Sequence, residues 1–132
     1  MPRVTLGFVP RERFSWAARS LRNLLETPAG IDYHLVIVDC AIPERYRAEI
    51  ETLVAGRDNV EFIRLDHHVM PNESRHLVTM ISHTEYTALL ENDNYVEPNW
   101  LGALVGRAGR RLRRIRRHDV GAPDHGARRL PR

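Results

Sequence analysis

Short apolar runs alternate along this chain with stretches whose apolar residues recur every three to four positions, and that alternation restricts the fold more than any other feature. Val4–Val9 is an apolar run closed by Pro10, and Tyr33–Val38 is a β-branched run that ends at Asp39. Val60–Leu65 alternates, and Tyr86–Leu90 is apolar and short; all four read as strands. Between them lie helical patterns. From Phe14 the apolar residues fall at 14, 17, 18, 21, 24 and 25, one face of a helix, with Ser15 as a cap and Pro28 and Gly30 as the stop. Residues 43–55 begin with Pro43, place Tyr46, Ile50, Leu53 and Val54 on one side, and end before Gly56. Residues 73–83 carry Leu77, Val78 and Ile81, and Pro98 opens a last helix with Trp100, Leu101, Leu104 and Val105. Strands alternating with helices imply an α/β fold: a mostly parallel, Rossmann-like sheet with flanking helices.

In such sheets ligands bind at the carboxyl ends of the strands. Three of those ends are chemically unusual here: Pro10-Arg11, Asp39, and the run Glu91-Asn92-Asp93-Asn94. The last admits two readings. Asn and Asp are ordinary turn residues, and carboxylates in such a place are also the hard oxygen ligands a divalent cation needs. Its position at a strand end, in series with Asp39, favours the ligand reading. His67 and His68 lack a third ligand at a metal-site spacing and read as loop histidines. Cys40, the only cysteine, follows an apolar strand and reads as a small buried thiol. Trp100 reads as a packing residue.

At 132 residues with 42% apolar and 28% charged, the chain suits one domain with a real core. No apolar run reaches the ~18 residues of a membrane span, and the N-terminus lacks a signal peptide's apolar stretch; a cytoplasmic chain without a transmembrane segment is expected. All 20 basic residues are arginine, as a GC-rich coding bias would produce. They are unevenly placed: residues 1–106 hold 10 Arg and 15 acidic residues, net −5, whereas residues 107–132 hold 10 Arg and 2 Asp, net +8. The chain therefore divides at about residue 106 into an apolar-periodic region and an Arg-rich tail, helical to about Arg117 and disordered beyond. The tail's charge would attract nucleic acid or anionic lipid weakly, giving nucleic-acid binding, or an inner-membrane peripheral location, as the alternative. It has no aromatic residues interleaved for base stacking.

Four blocks in order make residues 3–105 resemble the N-terminal half of a family 2 glycosyltransferase of the GT-A fold. They are "VTLGFVPRERFSWAARSLRNLL", "HLVIVDC" with one aspartate of a usual pair, "ESRHLV" in place of an Ala-Arg-Asn-x-Gly segment, and "LLENDNYVEPNWL" as a Glu-x-Asp variant of Asp-x-Asp followed by Pro98 and Trp100-Leu101. The resemblance implies a nucleotide-sugar donor and an acceptor of unknown identity. It assigns Asp93, with Glu91, to a Mg or Mn ion that stabilises the leaving diphosphate. It assigns Asp39 to the nucleobase, Pro10 and Arg11 to the turn lining the nucleotide, Arg75 to the nucleotide or its phosphates, and Glu91 also to the ribose or a metal-bound water. The acceptor-binding half and the catalytic base have no counterpart in these blocks. The chain is therefore expected to bind donor with little or no transfer, as a truncated or frame-shifted glycosyltransferase or a non-catalytic nucleotide-binding or interaction module. An uncovered sheet edge is expected to promote self-association.

Overall fold

The computed structural model describes residues 2–11, 13–92 and 94–121, with side chains as far as residue 111. Strands and helices alternate as β1 (Val4–Phe8), α1 (Phe14–Glu26), β2 (Tyr33–Cys40), α2 (Glu44–Val54), β3 (Val60–Leu65), α3 (Pro71–Ile81), β4 (Tyr86–Leu90) and α4 (Trp100–Gly121). The four strands form one sheet in the order β3-β2-β1-β4, and every neighbouring pair is parallel. The fold is thus the α/β, Rossmann-like arrangement expected of a partial GT-A domain.

The period-two pattern sorts side chains onto the two faces. Val4, Leu6 and Phe8 of β1 and Leu35 and Ile37 of β2 share one core with Ala17, Leu21 and Leu24 of α1, Ile50 of α2, and Leu101 and Val105 of α4. Val36, Val38 and Cys40 point the other way and pack with Val78 of α3, flanked by Ile63, Leu65, Leu77 and Ile81. Burying a leucine such as Leu21 or Leu24 stabilises the fold by about 1.5–3 kcal/mol. Gly7 permits α3 to lie this close: a Cβ there would stand 2.8 Å from Val78 Cγ1 and from Leu89 Cδ2.

Local chemistry moves several boundaries. Helix α1 begins after Arg13, which has left-handed backbone (φ 48°) and no side-chain cap, so Ser15 lies within the first turn instead of capping it. Strand β2 runs on through Cys40, so Asp39 is a strand residue in register with Arg64 of β3. The last helix starts two residues after Pro98, because Asn99 turns left-handed (φ 63°) and its N–H donates to the Pro28 carbonyl at 2.7 Å. Gly30, itself at φ 83°, makes room for that turn, since a Cβ on it would fall 1.9 Å from Asn99 Oδ1. Helix α4 continues through Gly121, beyond the end at about Arg117 that composition suggested; the expectation of disorder after it concerns residues 122–132, outside those described.

Strand β1 lies between β2 and β4, so the chain winds outward through β2 and β3 and then crosses to the far side of β1. The carboxyl ends of β1 and β4 therefore form the topological switch point, where α/β sheets leave a crevice.

Candidate functional site at the carboxyl edge

The register fixes the spacing of the functional residues. Phe8 is level with Ile37 of β2 and with Leu90 of β4. Asp39 stands two residues past that rung and Glu91 one residue past it, on the same edge of the sheet. They are separated by β1, a distance of two strand spacings or about 10 Å.

Two hollows open at this edge. One, of about 80 Å³, lies at the switch point and is lined by Val9, Arg11, Pro71, Ser74, Arg75, Leu89, Leu90 and Glu91. The topology thereby gathers Arg11 from the turn after β1, Arg75 from the second turn of α3 and Glu91 from the end of β4. Pro10 stands at the same turn and is buried. The Nη1 nitrogen of Arg11 is buried and has no hydrogen-bond partner among the described residues. A guanidinium cannot shed its charge, so a buried, unpartnered N–H of this kind calls for an anion.

The second hollow, about 560 Å³, lies at the ends of β2 and β3 and is lined by Asp39, Ala41, Arg47, Arg64, Leu65 and Asp66. Asp39 is 1% exposed. Its Oδ1 accepts the Ile42 N–H at 2.8 Å, which holds the turn that carries Ala41 at φ 58°. Its Oδ2 is buried without a hydrogen-bond partner among the described residues. Two arginines stand near that oxygen: Arg64 Nε at 3.5 Å and Arg47 Nη1 at 3.9 Å. Glu51 ties them together, accepting from Arg64 Nη2 at 2.9 Å and lying 3.9 Å from Arg47 Nε. Neither arginine was singled out in the sequence. The signal was present in the alternation of β3, which puts Arg64 on the face of Val60 and Phe62, and in the i, i+4 pairing of Arg47 with Glu51.

The run after β4 does turn work with its amides. Asn94 Oδ1 accepts the Glu91 N–H at 2.8 Å, and the Asn94 N–H returns to the Glu91 carbonyl at 3.3 Å. Helix α1 pins the segment: Ser20 donates to the Asn94 carbonyl at 2.8 Å, and Asn23 Oδ1 accepts the Val96 N–H at 2.7 Å. The Glu91 side chain is left exposed at the strand tip. Asp93 lies outside the described residues. No group of three or more His, Cys, Asp or Glu positioned for a metal occurs among the described residues. His67 is exposed and its Nδ1 lies 2.8 Å from Asp66 Oδ1. A site of one or two carboxylates completed by substrate phosphates, the usual arrangement for Mg²⁺, needs no such cluster.

Cys40 is buried on the α3 side of the sheet. Burial pushes its thiol above the ordinary range, opposed by a backbone hydrogen bond from Val69 and, more weakly, by the charge of Arg11. A thiol kept neutral is no nucleophile.

A parallel sheet with a basic cradle at its switch point and a buried carboxylate beside it defines a Rossmann-like α/β domain with a charged carboxyl edge. The model of glycosyl transferase family 2 matches residues 11–114, a span that takes in the hollow beside Asp39 and all but Val9 of the one at the switch point, and runs into the arginine-rich part of α4. The chain belongs to glycosyl transferase family 2. Among solved structures it resembles the crystal structure of S. aureus TarS 1–349, with a TM-score of 0.58 and 16% identity over 80% of this chain. The match spans 31% of the TarS chain. No curated protein matches. Among the described residues no helix is long and apolar enough to cross a membrane.

Proposed function

We propose that the carboxyl edge binds the nucleoside diphosphate part of a nucleotide-sugar, so that this chain supplies the donor side of a sugar transfer. The observation that carries the reading is a complementary pair of buried atoms on one sheet edge, each without a hydrogen-bond partner among the described residues. Arg11 Nη1 is a charged donor suited to a phosphate oxygen, and Asp39 Oδ2 is an acceptor suited to a nucleobase N–H. A nucleoside diphosphate can bridge the two strand spacings between them. Pro10 shapes the turn that presents Arg11, and Arg75, on the same hollow, adds a second guanidinium for phosphate.

Glu91 and Asp93 would hold Mg or Mn together with the diphosphate oxygens. Oxygen donors at a strand tip beside a phosphate cradle match what these hard ions take. When bound, the ion stabilises the negative charge of the departing diphosphate. The chain's own part is to orient the diphosphate through Arg11 and Arg75 and to fix the base through Asp39. Deprotonating an acceptor hydroxyl requires a general base, and none is assigned among the described residues.

Calorimetric titration of the purified chain with uridine and guanosine diphosphates, with and without Mg or Mn, tests the proposal. Binding of at least one nucleotide, strengthened by metal and weakened in Glu91→Gln, is expected. Equal binding with and without metal would remove the metal role of Glu91 and Asp93. No binding under either condition would remove the donor site.

A further inference from the structure

The densest charge of the molecule lies on α4, and the hollows at the carboxyl edge use none of it. Of the eleven residues from Arg107 to Arg117, seven are arginine and none is acidic, whereas residues 1–106 sum to −5. Like charges three and four positions apart on a helix repel one another. Such pairs recur here, Arg107 with Arg110 and Arg111, then Arg113 with Arg116 and Arg117, and no carboxylate lies between them. Arg107, Arg110 and Arg111 are exposed. None of the three forms an ion pair among the described residues. An anionic surface would relieve this repulsion.

The arginines do not surround the helix. Helical spacing puts Leu101, Leu104, Val105, Ala108, Leu112 and Ile115 within an arc of about 100°, and the seven arginines occupy the remainder. Leu101 and Val105, at the start of this stripe, belong to the core. Leu104 is 49% exposed, and the helix period carries the stripe on to positions 112 and 115. A merely solvated helix end has no need of such a stripe. An apolar stripe bordered by arginine suits the boundary between lipid headgroups and acyl chains. We propose that α4 beyond Val105 is an interfacial helix that attaches the chain peripherally to a lipid surface carrying anionic headgroups. The arginines meet the headgroups, and the stripe from Leu104 to Ile115 meets the outer acyl chains. A nucleic acid would engage the arginines alone, and residues 101–132 contain no Phe, Tyr or Trp for base stacking.

The fold sets which way the domain faces. The start of α4 is pinned at the amino edge of the sheet, where the Asn99 N–H donates to the Pro28 carbonyl at 2.7 Å and the Gly102 N–H to the Ala29 carbonyl at 2.9 Å. Further along, Gly109 passes the first residue of β4, since a Cβ on it would stand 3.5 Å from Tyr86 Oη. Residues 110–121 carry the helix about 18 Å further along its axis. The lipid surface therefore lies on the amino side. The carboxyl-edge hollows, a strand's length or about 17 Å away, open to water. The net negative charge of residues 1–106 keeps the rest of the domain off the same surface. This attachment does not depend on what the carboxyl edge binds.

Co-sedimentation of the intact chain with vesicles of equimolar phosphatidylcholine and phosphatidylglycerol, beside vesicles of phosphatidylcholine alone, tests the proposal. The chain should bind the mixed vesicles and not the neutral ones. Reversing three charges together, Arg113→Glu, Arg114→Glu and Arg117→Glu, should lower partitioning about a hundredfold or more. Leu112→Gln with Ile115→Gln keeps every charge and should lower it about tenfold. These positions lie past the last core residue of α4, Val105, so circular dichroism should show an intact fold in both variants. Phosphate-matched double-stranded DNA should leave the chain on the vesicles. Binding to neither vesicle would overturn the proposal. Binding unchanged by the glutamine pair would reduce the attachment to charge alone and overturn the interfacial helix. DNA that strips the chain from the vesicles would assign α4 to nucleic acid and overturn the lipid attachment.

Discussion

Replacing Arg11 by methionine should separate stability from binding. One guanidinium nitrogen is buried there without a hydrogen-bond partner among the described residues, so its removal relieves a desolvation cost. Thermal melting of Arg11→Met should lie at or above that of the parent chain, while affinity for a nucleoside diphosphate falls about tenfold or more. A lower melting temperature with unchanged affinity would make Arg11 a structural residue. Asp39→Asn behaves differently, because an amide oxygen can still accept the Ile42 N–H but the charge facing Arg47 and Arg64 is gone. It should cost about 1–3 kcal/mol of stability, as uncompensated buried groups do, which denaturant titration would measure. Cys40 gives a pH-dependent test. Its thiol is pushed up mainly by burial, and the thiolate is the reactive form. Labelling by a thiol reagent should be slow at neutral pH in the folded chain and rapid after denaturation. The neutral thiol's contribution to stability is present below the ordinary thiol range and is lost as pH rises through the raised value. Fast native labelling at neutral pH would contradict the burial.

At the scale of elements, periodicity was a reliable guide wherever an apolar face meets the core. Strands Val60–Leu65 and Tyr86–Leu90 fall where alternation and β-branching put them, because a strand with one buried face has its register set by that pattern. Ends were harder to read. Ser15 carried the capping chemistry, yet Arg13 takes the left-handed turn at the start of α1. Pro98 marks the approach to α4, but the docking of Asn99 against Pro28, a contact distant in sequence, sets where the helix begins. The candidate site was legible as a set of strand ends, since Arg11, Arg75 and Glu91 line one hollow. The environment of Asp39 was not, because Arg47 and Arg64 reach it only through the pairing of β2 with β3 and the docking of α2. Gly7 is the element-scale test. Gly7→Ala should destabilise the chain by about 1–3 kcal/mol, the range for overpacking, because its methyl group would strike Val78 on α3. The resulting shift of α3 would carry Arg75 away from Arg11 and weaken diphosphate binding as well. A fully stable Gly7→Ala chain would mean that α3 is not seated as described.

The whole molecule has two ends of very different character. Opposite the candidate site, at the amino ends of the strands, lies a wide depression of about 950 Å³ that is lined by Pro28, Gly30, Asp32, Tyr33 and Asn59 among others. It is larger than either hollow at the carboxyl edge, yet among the described residues it gathers no arginine and no buried atom lacking a hydrogen-bond partner. Size alone would therefore choose the opposite end from the one we propose. The sheet's β4 edge pairs with no further strand among the described residues, and Leu89 on it is 40% exposed. An open edge of this kind favours association between copies. Light scattering behind size exclusion should show mass rising with concentration, and Leu89→Lys should reduce that rise. A constant monomer mass would remove the expectation.

The central claim is that the carboxyl edge, not the larger depression, receives a nucleoside diphosphate. Backbone amide shifts of the labelled chain, recorded as uridine diphosphate and Mg are added, test it most directly. The account predicts that the moving resonances cluster at Arg11, Cys40–Ile42, Arg64–Asp66, Ser74–Arg75 and Glu91–Asn92, while Gly30 and Asp32–Tyr33 stay fixed. Shifts centred on residues 27–33 and Asn59, with the strand ends unmoved, would contradict it.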